Sequence, residues 1–287
     1  MTQTLTSNRT KLHNSSDANL LNHPNYLESH TTTGSNWLSG FRLIAYGLIT
    51  IILFPSQIIG LLIYPPLGKL MPLLHHKFSA SVIGLRIKTT GHISKNNGVL
   101  FVSNHLSYFD IIILGSLIPG KFIAKSEVAK WPILGLLAKA TDTIFIKRQK
   151  NASRLQKKLI KQELEKFENL ILFPEGTSTD GRRVLPFKSS LFEAPKLANS
   201  TVQPLTIRYT HLNGIPIRYR DRPFFCWYGD MKFVPHLITA LSLGVLKVEV
   251  KFHAPIRANQ FSNRKKLAVY CHKIVANNML RVIGRFT

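Results

Sequence analysis

The sequence predicts an α/β fold: a mixed sheet covered by helices, preceded by an N-terminal membrane-embedded helical segment. Three observations predict it. Short β-rich runs recur at 98–103, 121–124, 143–147, 169–173, 202–207 and 246–252. Helical or loop segments separate them at 108–117, 128–140, 151–167 and 187–199, and strands alternating with helices build a sheet that the helices cover. Ahead of all of these, residues 43–64 form a 22-residue stretch with no charged side chain. About 20 such residues suffice to cross a hydrocarbon core of about 30 Å.

Taken from the N-terminus, residues 1–36 are rich in Ser, Thr, Asn and His. They show no apolar periodicity and no apolar core of a signal peptide, so a disordered leader is expected. Residues 37–66 form the membrane-embedded helix or helical hairpin. Pro55, Gln57 and Gly60 interrupt its apolar run, Pro65-Pro66 ends it, and Trp37 and Tyr64 stand near its two ends, where interfacial aromatics belong. Lys69, Lys77, Arg86 and Lys88 follow without an intervening acid. The positive-inside rule then puts the remainder, 67–287, on the cytoplasmic side. Within it, 151–167 reads as an amphipathic helix with Leu155, Leu159, Leu164 and Phe167 on one face. The apolar segment 233–246 is too short to span and fits either a core helix or a second membrane-dipping element.

The chain of 287 residues carries 38 Lys and Arg against 14 Asp and Glu, a formal charge of +24, yet 45% of it is hydrophobic. That apolar content excludes a disordered basic tail, and a single long apolar run excludes a multi-span transporter. The excess charge implies a polyanionic partner: nucleic acid, anionic lipid or a phosphorylated substrate. The basic residues are scattered and form no recognisable nucleic-acid module. Cys226 and Cys271 sit in no disulfide framework or ligand spacing, so a reducing compartment is expected. His75-His76 reads as a surface pair, and no cluster has metal-ligand spacing.

Three blocks carry chemistry, each at the end of an expected strand. The first, 104–110 (NHLSYFD), places His105 five residues before Asp110. One turn can close these into a hydrogen bond that fixes the imidazole tautomer and supports its charge as it accepts a proton. The same residues also suit a helix cap, with Asp110 favouring the dipole. The second, 173–177 (FPEGT), leaves its strand in a turn that exposes N–H groups and hydroxyls suited to a polar head group. An ordinary Gly/Ser turn is the plainer alternative. The third, 145–148 (FIKR), ends in an Arg that can hold a phosphate bidentately or simply face solvent. A hydrolase is disfavoured, because neither Ser103 nor Ser107 stands in a GxSxG elbow.

In this order, with 202–205 (VQPL) following, the blocks resemble the glycerolipid acyltransferase family of 1-acyl-glycerol-3-phosphate acyltransferases. Lys125-Ser126-Glu127 with Trp131-Pro132 and Gly135 also looks like that family's intervening segment, and the resemblance covers about residues 85–215. It implies an acyltransferase domain over 67–287. Its reaction moves an acyl chain from acyl-CoA or acyl carrier protein to a lysolipid hydroxyl, with no other cofactor and no metal. His105 is then the general base and Asp110 its partner. Backbone N–H groups near their turn are candidate oxyanion donors. Asn104, Lys125, Arg148, Glu175, Gly176 and Thr177 are the expected substrate contacts. The expected acceptor is 1-acyl-glycerol-3-phosphate, acylated at sn-2 to phosphatidic acid. Another lysolipid such as lyso-ornithine lipid is the alternative. Two departures bear on that choice: Ser178 where many members have Arg, and Ser189 where many have Gly. The expected location is the cytoplasmic face of a bacterial inner membrane, where anionic lipid attracts the basic excess.

Overall fold

A computed structural model describes residues 34–147 and 153–283. The leader expected over 1–36 therefore lies, up to residue 33, outside the described residues, and so does Arg148.

Helix α1 (Asn36–Ile63) starts where the Ser35 hydroxyl accepts from the Leu38 N–H at 3.3 Å. It runs on through Pro55 without a break. Helix α2 (Pro65–Ile83) follows after the single residue Tyr64. The two prolines read as a stop are also a start: Pro suits the first turn of a helix, where its missing N–H has no partner to lose. Thr50 meets His75 at 3.0 Å midway along the pair. Gly60 and Gly68 meet backbone to backbone near the closed end, where a Cβ on Gly60 would lie 2.9 Å from the Gly68 nitrogen. The pair is thus a tight antiparallel hairpin, and the boundary expected at residue 66 lies in the first turn of its second arm. His75 and His76, expected at the surface, are half-buried here, with the His76 ring against Gly115 and Phe122.

After the hairpin come β1 (Leu85–Thr90), β2 (Val99–Ser103), α3 (Phe109–Gly115), β3 (Lys121–Lys125), α4 (Leu134–Ala140), β4 (Ile144–Ile146), α5 (Ser153–Glu165), β5 (Leu170–Leu172) and α6 (Glu193–Leu197). The long strand β6 (Thr201–Leu212), β7 (Ile215–Pro216), α7 (Phe233–Ser242), β8 (Leu246–Phe252), β9 (Ile256–Arg257) and α8 (Arg264–Ile283) complete the chain. The strands form one sheet in the order β1-β8-β6-β2-β5-β3-β4, with β7 and β9 also paired to β6. β6 runs parallel to β2 and antiparallel to β8, so the sheet is mixed, as expected. β2 and β5 are buried along their whole length, which is what continuous apolar runs such as VLFVS require of a central parallel strand.

The amphipathic helix is turned relative to expectation. In α5 the core side chains are Ile160 and Leu164, while Leu155, Leu159 and the following Phe167 are exposed. Segment 233–246 provides helix α7, which buries His236, Ala240 and Leu241 and exposes Val234 and Ile238.

Two polar side chains of α1 bind the hairpin to the domain. The buried Arg42 guanidinium donates to the carbonyls of Leu241, Leu243 and Gly244 at the end of α7. A cation there satisfies carbonyls the helix leaves open and complements its dipole. Gly84, at φ 85° after α2, leaves the room: a Cβ there would meet the Arg42 guanidinium. The second is Gln57, whose buried amide donates to the Ala140 carbonyl, the last of α4, at 2.6 Å.

Candidate active site

β2, β5, β3 and β4 are mutually parallel neighbours, so the residues leaving their C-terminal ends emerge side by side. His105 follows β2, 173–177 follows β5, Lys125 closes β3 and Lys147 follows β4. Open α/β sheets bind ligands at this edge. Order in space is not order in the chain: β5 lies between β2 and β3, which sets the FPEGT segment directly beside the histidine.

The one-turn closure that the spacing predicts is present. His105 Nδ1 lies 2.8 Å from Asp110 Oδ2, in the first turn of α3. With Nδ1–H donating to the carboxylate, Nε2 carries the lone pair. The imidazole stacks on the Phe173 ring at 4.1 Å between centroids and keeps 18% of its side chain exposed, whereas Asp110 has none. Asp110 Oδ2 also accepts the N–H groups of Leu106 and Ser107 at 2.6 and 3.0 Å. Its Oδ1 accepts the Tyr209 hydroxyl at 2.7 Å.

Glu175 stands behind this turn. Its two oxygens accept the N–H groups of His105 (2.8 Å) and Leu185 (2.7 Å), and it is 3% exposed. Burial pushes its carboxyl up to about 7, against the downward pull of the two N–H donors, and the Asp110 charge adds to the rise. Three successive N–H groups, of residues 105, 106 and 107, therefore point at carboxylates. The expectation that this turn offers oxyanion donors does not hold for these three. Nor does Glu175 face the open edge as an expected substrate contact would; it braces the backbone of the catalytic candidate.

Asn104 is likewise placed behind the edge. Its amide donates to the Ile207 carbonyl at 3.0 Å and accepts the Ile207 N–H at 2.8 Å, and it is 1% exposed. It locks the end of β2 to β6 in place of ladder bonds. Gly176 and Thr177 do reach the edge, half-buried and exposed respectively. Gly176 has φ 72°, a left-handed conformation that favours glycine, and a Cβ there would press on the mobile ammonium end of Lys188. Lys125 is half-buried at the same edge. The structure thus brings His105, Asp110, Glu175, Gly176, Thr177 and Lys125 together.

Sequence reasoning missed Tyr209, whose place at Asp110 depends on how β6 pairs. It also missed the contact from Tyr108 to His236, whose Nδ1 lies 2.9 Å from the phenol oxygen. That contact joins α7 to the 104–110 turn. Burial holds His236 down to about 4, so it is neutral there.

Comparison with known proteins agrees with this geometry. A family model described as Acyltransferase matches residues 85–208. A lyso-ornithine lipid O-acyltransferase of Rhizobium meliloti (strain 1021) is 36% identical over 245 residues, 81% of this chain and 83% of its own length. The chain belongs to the acyltransferase family. It is an acyltransferase of lysolipids. Another relative, a 1-acyl-sn-glycerol-3-phosphate acyltransferase of Neisseria gonorrhoeae, is 30% identical over 172 residues, 60% of this chain and 65% of its own. In fold, the acyltransferase resembles the crystal structure of the 1-acyl-sn-glycerophosphate (LPA) acyltransferase PlsC from Thermotoga maritima. The TM-score is 0.66 at 19% identity, over 88% of this chain and 97% of that one.

Ser178 of this acyltransferase is buried. The next residue, Thr179, donates its N–H to the His105 carbonyl at 2.9 Å. Arg182 lies over the Tyr219 ring at 3.1 Å and pairs with Asp180 at 3.6 Å.

Proposed function

We propose that the protein transfers an acyl chain from a thioester, acyl-CoA or acyl carrier protein, to the hydroxyl of a lyso-ornithine lipid. One observation carries the choice of acceptor. Relatives named for lyso-ornithine lipid match at 36% over up to 245 residues, and those named for 1-acyl-glycerol-3-phosphate at 30% over 172 in the bacterial case. This favours the alternative acceptor over the phosphatidate-forming reaction expected first, and the absence of Arg at Ser178 points the same way. Purified protein in mixed micelles with labelled acyl donor should acylate lyso-ornithine lipid and leave 1-acyl-glycerol-3-phosphate largely untouched. The reverse preference would overturn the assignment.

In this reading His105 Nε2 removes the proton from the acceptor hydroxyl as its oxygen attacks the thioester carbonyl. Asp110 supports the resulting imidazolium. The tetrahedral species collapses with loss of thiolate, which takes the proton back from His105. The attack is direct, so no acyl-enzyme forms, and the scheme asks for no metal or cofactor beyond the thioester. Gly176, Thr177 and Lys125, at the open edge, shape the acceptor side. Glu175 and Asn104 act from behind, on the backbone of residue 105 and on β6.

The hairpin gives the reaction its setting. Trp37, Ile44, Ile51, Leu62 and Ile63 are among many exposed apolar side chains on α1, a surface too large for a water-facing monomer. Arg42 and Gln57 tie α1 to the domain at points 15 residues apart, about 22 Å along a helix. The helix therefore lies along the domain, which suits seating in one leaflet better than a crossing. The positive charge that follows α1 favours the cytoplasmic face of a bacterial inner membrane. There the site meets lysolipid from the bilayer and thioester from the cytosol.

A further inference from the structure

We propose that Tyr209 is a positioning residue for acyl transfer: its phenol fixes the Asp110 carboxylate so that Oδ2 faces the His105 imidazole. The inference rests on the reading of His105 as the base. Asp110 is fully buried and accepts four hydrogen bonds. Three fall on Oδ2, from the His105 imidazole and from the N–H groups of residues 106 and 107. All three donors belong to the turn that the carboxylate is meant to hold. The fourth is different in origin. It comes from β6, 99 residues further along the chain, and it falls on Oδ1.

A carboxylate turns easily about its last side-chain bond, because that torsion is broad and two-fold. Donors from the turn alone let carboxylate and turn move as a unit. The Tyr209 hydroxyl ties that unit to the sheet. β6 is itself fixed at this height, since Ile207, two residues before Tyr209, makes both hydrogen bonds to the Asn104 amide. Burial first, and the Asp110 charge next, hold the phenol well above its usual range. It stays a neutral donor at every working pH. The other titratable groups around the pair are Cys226 and Tyr108, both held neutral by burial, and His105 and Glu175 at the turn. Glu175 titrates alike in variants at position 209 and cancels from their comparison.

Tyr209→Phe keeps the ring and removes only the donor. It should lower kcat about tenfold with KM changed less than about twofold, since misplacing a reactive group costs the chemical step more than binding. The acid limb of the pH–rate profile should move to higher pH. A carboxylate that has lost a donor stabilises the neighbouring imidazolium more strongly. A ring-fluorinated tyrosine at 209 keeps the shape, donates more strongly and should move the same limb to lower pH. Unchanged kcat and an unmoved limb in Tyr209→Phe overturn the proposal. If that variant does not fold, the fluorinated protein decides alone: a limb at the wild-type position overturns it. An inactive His105→Ala beside an unaffected Tyr209→Phe sinks only the positioning role, whereas an active His105→Ala sinks the base assignment itself.

Discussion

The buried carboxylates of the candidate catalytic edge and the buried Arg42 and Gln57 of the hairpin act in opposite senses. At the edge the buried carboxylates are acceptors: Asp110 and Glu175 take backbone N–H groups of a tight turn. In the hairpin the buried groups are donors: Arg42 and Gln57 donate hydrogen bonds to the carbonyls that α7 and α4 leave open. Each region thus answers the backbone groups its local structure orphans. The difference lies in what is being held. At the edge it is one imidazole, held by Asp110 and stacked on Phe173, whereas in the hairpin it is the attachment of two helices to a domain. Damage at the edge should therefore appear in rate and damage in the hairpin in stability.

The largest effect should come from the edge. His105→Ala should cut transfer about a thousandfold while thermal unfolding stays within a degree or two of wild type. Residual transfer within tenfold would remove the base from the scheme. Next, Arg42→Leu leaves the Leu241, Leu243 and Gly244 carbonyls without this donor and should cost about 3 kcal/mol of unfolding free energy in detergent. Gln57→Leu removes one neutral donor and should cost about 1 kcal/mol. Equal losses in the two variants would show that the charge on Arg42 adds nothing to the attachment.

Glu175 sharpens the comparison, because it belongs to the edge yet should register in stability. Its folded carboxyl stands at about 7 against an ordinary 4.5. Between those values the folded state holds a proton that the unfolded state has released, so stability falls as pH rises. Relative to Glu175→Gln, which cannot titrate, the wild type should lose about 2 kcal/mol between pH 5 and pH 7. Parallel stability curves for the two proteins would place the carboxylate in solvent. Glu175 would then be free to face substrate after all.

Much of this was legible in the sequence, for reasons specific to each part. Strands such as VLFVS and LKVEVKF announce themselves because central burial demands continuous or alternating apolar residues, and β8 matches its expected range of 246–252 residue for residue. β1 (LRIKTT) was illegible for the same reason: it is largely exposed, so no core imposed a pattern on it. α2 was hidden by Pro65-Pro66, which as readily begin a helix as end one. The His105–Asp110 pair was visible because it is made within five residues. The backbone roles of Asn104 and Glu175 were not, since their partners lie 103 and 70 residues away. No local pattern distinguishes a carboxylate that meets substrate from one that braces a turn.

The pairing of β2 has a further consequence, in the order of assembly. β2 is flanked by β5 and β6, which follow it by whole supersecondary units. Such non-local pairings close late in folding. The apolar hairpin, by contrast, is local and N-terminal, and chains fold from that end during synthesis. It leaves the ribosome before the sheet that it anchors can form. The hairpin is thus complete while the site is still incomplete. The hydrogen bonds that tie Asn104 and Asp110 to Ile207 and Tyr209 can form only once β6 has emerged and closed beside β2.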